Sequence, residues 1–125
     1  GIRVFLGSSQ PRYTVFAERS IKASTWGLTL REIPKEVGTF TCNSISNGVP
    51  RVVLDSGQNV AYATTTANGV TPAVGASCSI TVDSVTPQVS GTYTATLIGY
   101  DGTATILPGG DNSATISGSF RFPAP

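Results

Sequence analysis

Apolar and polar residues alternate along this chain in short runs, separated by glycine, proline and asparagine. Residues 76–85 carry the cleanest run. Cys78, Ile80 and Val82 share one face, and Ser77, Ser79, Thr81 and Asp83 share the other. That is the signature of a strand with one wet side. Residues 88–100 repeat it, with Tyr93, Ala95 and Leu97 set against Thr92, Thr94 and Thr96, and Ala114, Ile116, Gly118, Phe120 and Phe122 mark a last strand ending at Pro123. Earlier strands are predicted at 2–6, 12–18, 37–43, 52–54 and 59–65. From Ile21 to Ile33 the phase slips: Ile21 and Ala23 have one parity, and Trp26, Leu28 and Leu30 the other. Reading this stretch as one strand predicts a bulge near Ser24–Gly27, because a one-residue slip otherwise reverses the buried face.

Turn chemistry punctuates these runs at Gly7–Pro11, Pro34–Glu36, Asn47-Gly48, Ser56-Gly57, residues 66–75, Asp101-Gly102 and Pro108–Asn112. Eight or nine short strands at this spacing predict an all-β fold, a single-domain antiparallel β-sandwich over residues 1–125, with a barrel as the alternative. The length of 125 residues suits one core. Disorder needs low hydrophobicity with high net charge, whereas 39% of residues are apolar and 12% charged. Thr is β-branched and suits a half-exposed pleated face, so the abundant Thr belongs on an outer surface. No apolar run reaches the ~20 residues that span a bilayer. No export signal is recognisable at the start, so any such segment is expected to have been removed before Gly1.

The net charge is +1 and histidine is absent. Nucleic-acid binding is therefore not expected, since it needs clustered Lys and Arg against phosphates. Residues 1–40 hold six basic and three acidic side chains, and residues 41–125 two and four. A basic sheet edge that resists strand addition accounts for the asymmetry most simply.

Without histidine, the usual general base and metal ligand are missing. No Gly-x-Ser-x-Gly elbow or Ser-x-x-Lys motif occurs, and the Ser20/Lys22 spacing and Lys35 do not supply one. Glu18, Glu32, Glu36, Asp55, Asp83, Asp101 and Asp111 are scattered over separate runs, so a glycosidase pair is not legible, and solvated positions are expected. Asp101 and Asp111 sit in turns without the spacing of a calcium loop. No enzyme, metal or cofactor is expected.

Cys42 and Cys78 lack the partners for a zinc site and the spacing of a thioredoxin-like motif. A structural disulfide is expected, with two buried thiols as the other reading. A bridge would place the chain in an oxidising compartment.

The order of segments from Val37 to Pro123 carries a resemblance. Gly-Thr-Phe is followed by Asn-x-Ala-Tyr, Ser-Cys-Ser-Ile-Thr-Val, Val-Ser-Gly-Thr-Tyr-Thr-Ala-Thr-Leu and Ile-Ser-Gly-Ser-Phe-Arg-Phe-Pro. This series resembles small exported bacterial lipoprotein-like β-sandwich proteins of uncharacterised function. It covers residues 37–123 and leaves the first 36 unmatched. The resemblance implies a β-sandwich placed in the periplasm, on an outer-membrane anchor or at the cell surface, and it brings no catalytic motif.

The expected function is therefore recognition of a protein or glycan partner by a monomeric, non-catalytic envelope protein. A carbohydrate-binding module is one alternative, with Trp26, Tyr13, Tyr62, Tyr93 and Tyr100 as stacking rings and Trp26 foremost among them. A structural subunit that assembles through strand edges is the other.

Overall fold

The computed structural model describes residues 2–9, 12–21, 24–42, 50–55, 60–65, 72–101, 106–107 and 112–124. Nine strands and no helix occur among them: β1 (Ile2–Ser9), β2 (Arg12–Ile21), β3 (Ser24–Pro34), β4 (Gly38–Thr41), β5 (Arg51–Asp55), β6 (Ala61–Ala63), β7 (Ser77–Ser84), β8 (Gln88–Tyr100) and β9 (Ser113–Pro123). All pairings are antiparallel, in the order β1-β2-β3-β5-β6-β8-β7-β4. β8 joins the two halves. Its last residues pair with β6, the preceding ones with β7, and its other edge with β9.

One hydrophobic cluster unites Tyr13, Val15, Leu30, Ile33 and Val52 from β2, β3 and β5 with Cys78, Ile80, Val82, Val89, Ala95, Leu97 and Phe120 from β7, β8 and β9. The two groups of strands thus bury their inner faces against each other, as alternation requires of a sheet with one apolar side. Among the described residues no pairing closes the path, so the fold is sandwich-like and the barrel does not form.

The stretch 21–33 differs from expectation. It is not one strand: the β2–β3 ladder ends at Ile21↔Ser24, so the two parities belong to two strands joined through Lys22 and Ala23, which lie outside the described residues. Ser24–Gly27 is in regular register with β2. The irregularity falls further along, where Tyr13 pairs with Ile33 but Val15 pairs with Leu30. Arg31 and Glu32 therefore stand against Thr14 alone, and Glu32 has φ 60°. The reason lies in packing: Leu30 and Ile33 are three apart yet only 1% and 0% exposed, and an extra residue brings both to the core face. The same distortion brings Glu32 within 3.8 Å of Arg51, the register partner of Arg31.

Cys42 and Cys78 form a disulfide, with Cα atoms 5.0 Å apart, at the end of the β4–β7 ladder. The Cys42 amide donates to the Cys78 carbonyl at 3.2 Å, so the bridge extends the ladder inside the core. Nearby, β5 and β6 gain one rung from a side chain: buried Thr64 accepts from the Val52 amide through Oγ1 at 3.1 Å.

The predicted turns at Asn47-Gly48, Ser56-Gly57, Asn68-Gly69, Gly102 and 108–111 lie outside the described residues.

Candidate functional site

Pairing register explains where the hydroxyl-rich composition goes. Thr41, Ser79, Thr94 and Ser117 form one cross-strand row over β4, β7, β8 and β9; Thr39, Thr81, Thr92 and Ser119 form a second; Ser77, Thr96 and Thr115 form a third. All lie on the face opposite the core. Thr39 and Thr81 share a hydrogen bond between their hydroxyls at 3.0 Å. This is the expected wet side of a strand, carried across four strands. A shallow depression of about 300 Å³ opens over Ser77, Ser79, Thr94, Thr96 and Thr115.

The more enclosed recess lies between the sheets. Val15, Ala17, Leu28 and Leu30 of β2 and β3 form one wall, and Tyr93, Phe120 and Phe122 of β8 and β9 the other. Ser119 and Arg121 border it on the β9 edge, although strand alternation turns their side chains to the outer face, and the recess holds about 170 Å³. β9 pairs with β8 alone among the described residues, so this end of the sandwich has an uncovered edge.

Two glycines set the aromatic wall. Gly118 pairs with Tyr93, and Gly91 pairs with Phe120. A Cβ on Gly118 would lie 2.6 Å from the Tyr93 hydroxyl oxygen, and one on Gly91 would lie 2.7 Å from Phe120 Cζ. Each ring therefore lies across the bare backbone of its partner. Burial pushes the Tyr93 phenol above its ordinary pKa, so the group facing the recess is a neutral hydroxyl at physiological pH.

The aromatic residues singled out as a sugar platform do not form one. Tyr13 is 5% exposed, sits in the core opposite Ile33, and has the Lys35 ammonium 5.0 Å from its ring centre. Tyr62 is half-buried against the core and lies over Gly99, its register partner. Trp26 is half-buried and occupies the same face of β3 as Leu28, two residues beyond the recess. Tyr13 and Trp26 are thus at opposite ends of the β2–β3 ladder, about 20 Å apart at strand rise. Of the named rings Tyr93 lines the recess, and Trp26 lies two residues beyond it along β3. The residues the sequence did not point to are Ala17, Leu28, Phe120 and Phe122. Their alternation signals a buried face, but nothing local says that the facing sheet leaves a gap there.

Among the described residues no three His, Cys, Asp or Glu side chains gather as a metal site. Glu32 is taken up by Arg51, Lys22 and Asp111 lie outside the described residues, and no helix is long and apolar enough to cross a membrane. No family model matches the chain, and no curated protein or solved structure shows significant similarity to it.

Proposed function

We propose that this chain is a non-catalytic binding protein of the cell envelope or surface, working as a monomer, and that the recess between the sheets is its site. The observation that carries the reading is the gap itself: an open, mostly apolar cleft with a few polar groups at its margin is the usual form of a ligand site. A well-packed sandwich of this size would close it, since interiors pack to the density of organic crystals. The Cys42–Cys78 bridge supports placement in an oxidising space. The recess is close in size to an engineered core cavity of about 150 Å³ that holds benzene, so it accommodates one ring or a short chain.

Titrating 1-hexanol into isotope-labelled, oxidised protein tests the site. Amide resonances of Val15, Leu30 and Phe120 should move, and Ala17→Leu, which fills the cleft from β2, should abolish the response. Shifts confined to other surfaces, or an undiminished response in the filled variant, would overturn the reading. Export is tested separately: thiol alkylation of denatured, unreduced protein from its native compartment should leave both cysteines unmodified.

A further inference from the structure

We infer that the cleft and the open edge of β9 together receive an extended segment of a partner protein, which joins β9 as an antiparallel strand, sends one apolar side chain into the recess and sets an acidic residue beside Arg121. The inference rests on the reading of the cleft as a binding site and adds the class of partner.

The hydrogen bonds of the β8–β9 ladder fix which way the β9 backbone faces. The Gly99 amide donates to the Asn112 carbonyl at 2.9 Å, and the Ala124 amide donates to the Pro87 carbonyl at 3.0 Å. Bonded and unbonded pairs alternate along an antiparallel ladder, and the register runs unbroken from Gln88↔Pro123 to Ile98↔Ser113. Gly118, Phe120 and Phe122 therefore turn their amides and carbonyls to β8, whereas Ser117, Ser119 and Arg121 turn theirs to the outside of the sheet. No strand takes up that edge among the described residues. Ser119 and Arg121 border the recess although their side chains face away from it, so it is their main chain that the recess meets. An apolar gap and a row of unpaired peptide groups thus adjoin.

The edge also lacks the usual defences. β9 runs for 11 residues without a bulge and without a proline before Pro123, where a common strand has about 5–6. Such an edge is a template for another strand. An incoming antiparallel strand would exchange main-chain hydrogen bonds with Ser119 and Arg121. Its residue opposite Phe120 would then point inward, toward Ala17 and Leu28, where about 170 Å³ is open to a leucine-sized side chain. The adjacent residue, opposite Arg121, would lie on the outer face. Arg121 is the one charged residue of β9; it is exposed, its β8 partner is Ser90, and no carboxylate pairs with it among the described residues. A basic residue placed beside it would repel, and an acidic one would attract. Arginine on an edge commonly guards against strand addition. Here it selects which strand is admitted, while main-chain bonds supply affinity and the recess reads one side chain.

The capped heptapeptide Thr-Val-Glu-Leu-Thr-Val-Ser sets its Leu opposite Phe120 and its Glu opposite Arg121. At saturation it should slow hydrogen exchange about tenfold at the Ser119 and Arg121 amides of oxidised protein, and leave Gly118 and Phe120, already bonded to β8, unchanged. Replacing its Leu by Ala should weaken binding about tenfold. Methylating the amide nitrogen of the Thr that follows, which would donate to the Ser119 carbonyl, should do the same, also by about tenfold. Exchanging its Glu for Lys should weaken binding about threefold. Uniform slowing along β9, equal affinity of the methylated peptide, or undiminished binding to the Ala17→Leu protein would overturn the strand. Slowing that appears without peptide and grows with protein concentration would assign the edge to a second copy instead. 1-Hexanol, titrated in parallel, separates this inference from the reading beneath it. If hexanol binds and the peptide does not, the strand falls and the cleft stays; if neither binds, both fall.

Discussion

The Tyr93 ring lies across Gly118, its cross-strand partner, with the hydroxyl 2.6 Å from where a Gly118 Cβ would stand. One row away the relation is reversed: Gly91 is on β8 and Phe120 on β9. The two glycines differ in what a side chain would meet. At Gly91 a Cβ would run into the Thr81 carbonyl, which belongs to the backbone of β7 and cannot turn aside. At Gly118 it would meet only the far end of Tyr93. Gly91→Ala should therefore cost about 3 kcal/mol and Gly118→Ala about 1 kcal/mol, measured by urea unfolding. Equal costs would show that the β7–β8 contact is looser than described.

The disulfide closes a 36-residue separation. On the chain-entropy model such a loop contributes about 3–4 kcal/mol by restricting the unfolded chain. Replacing both cysteines, Cys42→Ala with Cys78→Ala, should lower unfolding free energy by that amount, and adding reductant should leave the double variant unaffected. A loss under about 1 kcal/mol would mean that the unfolded chain stays compact without the bridge.

Burial raises the phenol pKa of both Tyr93 and Tyr100 above the ordinary 10.0. With the folded value above the unfolded one, the unfolded chain releases its proton first. Stability should thus be unaffected by these groups below about pH 10 and fall as pH rises through the folded values. Among the described residues the Tyr100 hydroxyl is also buried without a hydrogen-bond partner. An unsatisfied buried hydroxyl costs about 1–3 kcal/mol, so Tyr100→Phe should raise stability at neutral pH by about 1 kcal/mol and soften the alkaline loss. Unfolding free energies at neutral and alkaline pH check both; a destabilised Tyr100→Phe would show that the hydroxyl has a partner.

Glu32 sits at φ 60°, a region that costs an L-residue about 1–2 kcal/mol. Its ion pair with Arg51 is partly exposed and worth under about 1 kcal/mol. Glu32→Gly should hence leave stability within about 1 kcal/mol of the original, and Glu32→Val, β-branched and strained at positive φ, should lower it by about 1–2 kcal/mol. Comparable thermal melts for both variants would remove the bulge from this position.

Local pattern carried much of the architecture. Cys78, Ile80 and Val82 alternate with hydroxyl residues, and the period-two rule placed them inside because a strand turns successive side chains to opposite faces. The same rule placed the β8 and β9 core residues, and the turn-bounded spacing gave the strand number. It misplaced the bulge, since the 21–33 phase change came from a hairpin, while the true slip answered a demand from the core to bury both Leu30 and Ile33. Alternation does not separate the aromatic residues from one another: a Tyr in such a run looks alike whether its face meets solvent or the core, and Tyr13 is in the core while Tyr93 lines the recess.

The sequence by itself determined roughly where most strands lie, which face of β7 and β8 is wet, and that two cysteines stand ready to bridge. These are properties of neighbouring residues on one chain. Only the tertiary structure decided that β8 joins both halves and that an apolar gap opens between Leu28 of β3 and Phe120 of β9. A gap between sheets is set by how two remote surfaces fail to meet, and no local pattern records the shape of the facing wall.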